Sequence, residues 1–295
     1  MNRHDLTFTQ TTDTLSSRLI SLAVSPFVML LYGLLALTMS HLSHAGTEQP
    51  TGGQYGLALD PVATVNFVFI TPTNPQQQQA KDIVQHSSIL ATIKHLSQTR
   101  YIFAPSVDIV FGSAKGPNYD STQHQIQIPY QYITQLLQHI RDTDLYPTQQ
   151  QRYQATTDAL LVTLLHEIGH AFILDRAIPV LGNTENTVDN FVTILLLNDV
   201  ERGDEIAINS GRFFSTRELS HSTLSANPFI QQHGLNQQRY QHILCLVYGS
   251  NPARYQRLFD SLSLAQRQQQ QRQCKATFST THQSWLYYLD NNSEY

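Results

Sequence analysis

Short β-rich runs dominate the start of the chain's folded part, and stripes of helical period dominate the rest. "VATVNFVFI" (Val62 to Ile70) is dense in β-branched and aromatic residues, which predicts a buried strand. "TPTNPQQQQ" interrupts it. From Ala80 to about Leu96 the apolar residues Ile83, Val84, Ile89, Leu90, Ile93 and Leu96 recur at helical spacing. "SVDIVF" (Ser106 to Phe111) predicts a second short strand, and "GSAKGPNYDSTQ" a turn into "HQIQIPYQY". There Ile126 and Ile128 alternate with Gln125 and Gln127, so one face is buried and the other wet. Pro129 cannot donate to a ladder and places this strand at a sheet edge. Helices are predicted at 130–141, 150–174, 186–199 and 236–248. Strands with a helix first and mostly helices afterwards make an α+β arrangement. The run "QRQQQQRQ" (266–273) fits either a solvated helix face or a polar linker, and no internal repeat is visible.

The N-terminus refines this division. A polar stretch ends at Arg18, and "LISLAVSPFVMLLYGLLALTMSHLSHAG" follows. Its densest apolar part, Phe27 to Met39, matches the roughly 7–15 residues of a signal-peptide core and falls short of the roughly 20 of a membrane span. Ser43 and Ala45 put small residues where a signal peptidase reads. Residues 1–45 therefore read as a signal peptide, 46–60 as a flexible leader and 61–295 as a single domain. Its sheet-containing half covers about 61–175 and its helical half about 176–295. The alternative is an uncleaved anchor formed by residues 19–40. Either reading sends the rest of the chain out of the cytoplasm, as a periplasmic or secreted protein. No later stretch reads as a span, since "FVTILLL" (Phe191 to Leu197) is short.

Composition narrows the field modestly. A hydrophobic share of 41% indicates a globular chain, not a disordered one. With a formal charge of −4 and no Lys/Arg run, nothing marks a nucleic-acid partner. Of the two cysteines, Cys245 and Cys274, neither has CxxC spacing, which argues against a thiolate metal site. In an exported chain one such pair predicts a disulfide.

The chemistry concentrates in "LLHEIGHAF" (Leu164 to Phe172). Around the helix, Leu161, Leu164, Leu165, Ile168 and Phe172 form an apolar stripe, flanked by Leu160, Val162, Ala171, Ile173 and Leu174. Thr163, His166, Glu167 and His170 occupy the remaining strip. A helix apolar nearly all round is buried, and here the one polar stripe is the motif. His166 and His170, four apart, can reach one ion, while Glu167 flanks it as a general base. Gly169 costs about 1 kcal/mol relative to Ala in mid-helix, which points to close approach of another segment or of substrate. A third ligand is needed for an open catalytic zinc site. In "PVLGNTENTVDNFVTILLL", Pro179 and Gly182 reverse the chain and Asn183 or Thr184 caps the next helix. Glu185 and Asp189 then share one face. Glu185 reads as the third Zn2+ ligand, and Asp189 as the acceptor that orients His166. The bland alternative is two acids favoured by the helix dipole.

HExxH followed by ExxxD on the next helix resembles the gluzincin arrangement typified by thermolysin, with shorter spacing. The longer run "LLHEIGHAFILDRAIPVLGNTENTVDNF" resembles a family of exported bacterial metallopeptidases classed as a domain of unknown function. "PNYDSTQHQIQI", "QQHGLNQQRYQHILCLVYGSNP" and Cys274 fit the same family. Members often carry a second cysteine pair near the NYD segment, which this chain lacks. The resemblance implies a zincin-like fold and a zinc-dependent peptidase binding one Zn2+ per chain, with a peptide or protein substrate. Thermolysin-like enzymes add a donor to the developing oxyanion; His233 is the candidate here, with Arg239 and Tyr240 behind it, and a plain surface histidine is the alternative. The Gln-Ile strand edge could align an extended peptide by backbone pairing. Two competing classes are a non-catalytic zinc-binding envelope protein and a zinc hydrolase with a non-peptide substrate.

Overall fold

Four short strands build one mixed sheet in the order β1-β2-β4-β3, where β1 is Asn66–Phe69, β2 Asp108–Phe111, β3 Asn118–Asp120 and β4 Gln125–Ile128. β1 and β4 each run parallel to β2, and β3 runs antiparallel to β4. The computed structural model describes residues 65–103, 105–215 and 237–290. The signal peptide, the leader and His233 of the sequence reading lie outside these residues.

The alternation in β4 is present, with Ile126 and Ile128 fully buried and Gln125 and Gln127 half-buried. Its expected place at the edge is wrong, because β4 pairs with β2 on one side and β3 on the other. Pro129 falls one residue past the strand, as the N-cap of the following helix, where a missing N–H removes no ladder bond. The edge on that side is β3, inside the segment that reads as a turn.

The helix expected from Ala80 to Leu96 is two helices, α1 (Pro75–Gln85) and α2 (Ile89–Thr99). "TPTNPQQQQ" does end the strand, and its second half already begins α1: Asn74 Oδ1 accepts from the backbone N–H of Gln77 at 2.9 Å and Pro75 takes the first helical position. α1 stops at "HSS", where the Ser87 hydroxyl donates to the Val84 carbonyl. The later expectations hold closely, with α3 at Tyr130–Asp142, α4 at Gln149–Asp175, α5 at Thr184–Asp199 and α7 at Gln237–Ser250. Among the described residues two helices lie outside them: α6 (Gly203–Ser215) and α8 (Leu264–Asp290), which contains the Gln run. The protein is thus α+β, mostly helical, with a small mixed sheet.

α4 runs through the middle of the core. Leu164, Leu165, Ile168 and Phe172 are fully buried against α5, α3 and the sheet side, each contributing about 1.5–3 kcal/mol relative to exposure. By length and composition α4 could cross a membrane, contrary to the expectation that no later stretch could. Most of it is buried inside the protein, which marks a core helix. Gly169 lets α5 approach: a Cβ there would stand 2.9 Å from Val188 Cγ1 and from Phe191 Cδ1. That closeness brings the faces of α4 and α5 that carry the site residues together.

Candidate metal centre

Two helices and one connection place the site. α4 presents His166, Glu167 and His170 from its single polar strip. The Arg176 cap then ends the helix, with Ala177 left-handed at φ 47°. The N–H of Ala177 donates to the Leu174 carbonyl and that of Ile178 to the Ile173 carbonyl, a Schellman turn that points the chain back. Asn183 caps α5 by accepting from the Asn186 N–H at 3.1 Å. Glu185 therefore sits in the first turn of α5 and Asp189 one turn deeper, both facing α4.

The side chains converge as the spacing suggested. His166 Nε2 lies 3.1 Å from Glu185 Oε2 and 3.2 Å from His170 Nε2, and His170 Nε2 lies 3.4 Å from Glu185 Oε1. One ligand atom from each of the three falls within 4.8 Å of the others, so this cluster could hold a metal ion. Asp189 Oδ1 faces the other ring nitrogen of His166, Nδ1, at 3.4 Å. Burial opposes charge on His166, but Asp189 and Glu185 outweigh it and push its pKa up to about 9. The field that attracts this proton would equally attract a cation.

Glu167 has a different environment. It is 1% exposed, and neither carboxylate oxygen has a hydrogen-bond partner among the described residues. A buried carboxylate without a partner is expensive, so its position calls for a chemical reason. Glu167 lines a cleft of about 1340 Å³ together with His170 and Glu185. One wall is β3 with the loop before it, contributing Gly116, Pro117, Asn118 and Tyr119. Ile173, Leu174, Ile178 and Val180 form an apolar wall, and Gln131, Tyr132 and Gln135 of α3 line the cleft as well. β3 is tied to the C-terminal end of α4 through His124, whose Nδ1 lies 2.8 Å from the Tyr119 hydroxyl and whose Nε2 lies 3.5 Å from Asp175. The edge strand that borders the cleft is β3, not the Gln-Ile strand.

Two residues near the site escaped their part in it at the sequence level. Arg239 of α7 does not stand free behind His233. It donates from Nε to Asp189 Oδ2 at 2.6 Å and from Nη2 to Asp189 Oδ1 at 2.7 Å. Burial raises the Asp189 pKa, but His166 and Arg239 together hold it below the usual carboxylate range. Charge balance was the available signal, since two acids one turn apart on a buried face call for a cation. Tyr132 is the second. Thr163 donates to the Ala159 carbonyl, so the Tyr132 hydroxyl donates to Thr163 Oγ1 at 2.8 Å, fixing a cleft side chain against the polar strip. Burial pushes the Tyr132 pKa far up, so it stays a neutral donor. Tyr240 belongs to the contact between α6 and α7, where its ring would lie 2.8 Å from a Cβ on Gly211.

The family described as "Putative metallopeptidase" matches residues 69–289, from the end of β1 to the last turn of α8. The chain belongs to this family. The matched region includes the whole His166, His170 and Glu185 cluster and the Cys245–Cys274 disulfide, which joins α7 to α8 as the cysteine pair predicted. No curated protein and no solved structure matches the chain.

Proposed function

We propose that the protein is a zinc-dependent peptidase with a zincin-like arrangement, in which His166, His170 and Glu185 hold one Zn2+ and Glu167 is the general base. The observation that carries this reading is the buried carboxylate of Glu167, unpartnered and on the cleft, beside three converging metal-ligand side chains. A structural metal site has no use for such a group. When bound, Zn2+ supplies Lewis acidity and makes water a nucleophile near pH 7. Glu167 takes the proton of the attacking water and delivers it to the leaving amine. Asp189 accepts from His166 Nδ1, which leaves the Nε2 lone pair for the ion. An extended peptide adds to the edge of β3 that no strand pairs with among the described residues, so that backbone pairing lays it across the cleft past Glu167. The substrate is a peptide or protein met after export, in the periplasm or outside the cell.

Metal analysis and a peptide-library cleavage assay on the wild type and Glu167→Gln test this. The amide cannot accept a proton, so the variant should keep about one Zn2+ per chain and its fold while losing cleavage by several orders of magnitude. Equal turnover in the two proteins, or a wild type that binds no Zn2+, overturns the reading.

A further inference from the structure

Arg239 touches both acids of α5. Its guanidinium forks onto the two oxygens of Asp189, at 2.6 and 2.7 Å, and its Nη2 lies 3.7 Å from Glu185 Oε2. Its side chain is 9% exposed, and that of Asp189 10%. A guanidinium is always charged and presents its N–H groups in a rigid plane, so a two-point fork fixes the rotation of the carboxylate as well as its charge. The Asp189 oxygen that accepts from Nη2, Oδ1, also faces His166 Nδ1. Arg239, Asp189 and His166 thus form a chain of polar contacts that starts on α7 and ends on a proposed ligand. A cation at this point also offsets the repulsion between Glu185 and Asp189 on one helix face.

We infer that Arg239 is a positioning residue of the metal centre, orienting His166 through Asp189 and thereby setting the affinity and ligand geometry of the site. The inference rests on the reading of His166, His170 and Glu185 as ligands. It extends the site to a third helix, fifty residues beyond Asp189 in sequence. The competing role is an ordinary ion pair between α5 and α7, which would hold the helices together without influencing the ion.

Zn2+ dissociation constants of the full chain, measured by chelator competition, distinguish the two. Measurements are made at a temperature where circular dichroism shows every variant folded. Arg239→Ala should weaken Zn2+ binding about 10–100-fold, the range for lost partners of metal ligands. Arg239→Lys should recover only part, because an ammonium cannot fork across both oxygens. The visible spectrum of the Co2+-loaded protein should change in Arg239→Ala and less in Arg239→Lys. Because the effect passes through Asp189, Arg239→Ala combined with Asp189→Ala should bind Zn2+ about as well as Asp189→Ala alone. Should Arg239→Ala not fold, Arg239→Gln, which keeps a single donor, takes its place in the same comparison. Unchanged Zn2+ affinity and Co2+ spectrum in a folded Arg239 variant overturn the inference, and so do losses that multiply in the double variant. A wild type that binds neither Zn2+ nor Co2+ refutes the metal reading itself, and the inference falls with it.

Discussion

Glu185 and Asp189 are chemically alike, lie one turn apart, and have different neighbours. Glu185 sets Oε2 near Nε2 of His166 and Oε1 near Nε2 of His170, whereas Asp189 meets His166 from the Nδ1 side and is held by Arg239. Their substitutions should therefore separate. Glu185→Ala removes one of three proposed protein ligands and should largely abolish Zn2+ binding. Asp189→Ala should leave Zn2+ bound, with affinity lowered about 10–100-fold. If both acids served only the dipole of α5, each change would cost about 0.3–1 kcal/mol of stability and leave affinity untouched. Zn2+ titrations of the two variants decide, and a reversed pattern would make Asp189 the ligand. His166→Ala combined with His170→Ala should abolish the site, and full metal occupancy in that variant would place the metal elsewhere.

At the scale of elements, the site depends on how α4 hands over to α5. Gly169 packs under Val188 and Phe191, so Gly169→Ala inserts a methyl where none fits. Urea unfolding should show a loss of about 1–3 kcal/mol, the usual penalty of overpacking, together with weaker metal binding because α5 is pushed away from the histidines. Ala177 is the opposite case. It holds a left-handed conformation that disfavours any Cβ, where helices most often use glycine. Ala177→Gly should stabilise the fold by about 0.5–1 kcal/mol, less than the full left-handed penalty because glycine loses more freedom on folding. A destabilised Ala177→Gly would mean that the methyl contributes more through packing than the backbone loses.

At the scale of the whole molecule, α8 is, for its length, the helix least supported by apolar burial among the described residues. Only Cys274, Trp285 and Leu289 along its length are buried. Trp285 and Leu289 join the main core, whereas Cys274 lies with Cys245, Tyr248 and Phe259 in a separate small cluster. The disulfide closes a loop of 29 residues between α7 and α8, and such a closure stabilises by about 3–4 kcal/mol in the chain-entropy model. Reduction, or Cys245→Ser with Cys274→Ser, should lower the urea midpoint accordingly. Two free thiols titrating in denatured, non-reduced protein from an exported preparation would remove the bridge and weaken the export reading with it.

What sequence alone determined is what helix geometry makes local. The i, i+4 spacing of His166 and His170, the burial of α4 and the shared face of Glu185 and Asp189 follow from a period of 3.6 residues and hold in the structure, which also chooses Asn183 over Thr184 as the cap of α5. Other elements have no such period to read. β3 is three residues long, too short to alternate, and only its pairing with β4 makes it a strand and the edge beside the cleft. α6 carries Gly203 and Gly211, which weaken a helical reading, and Gly211 is there because Tyr240 packs on it. α8 lacks a continuous apolar stripe because most of it faces water. The fork of Arg239 on Asp189 spans fifty residues and leaves no spacing pattern at all. Contacts within a turn or two are set by backbone periodicity, whereas contacts between distant segments are chosen only when the core packs and buried charges need partners. Tertiary structure therefore decided which strand borders the cleft, and which cation steadies the acids beside His166.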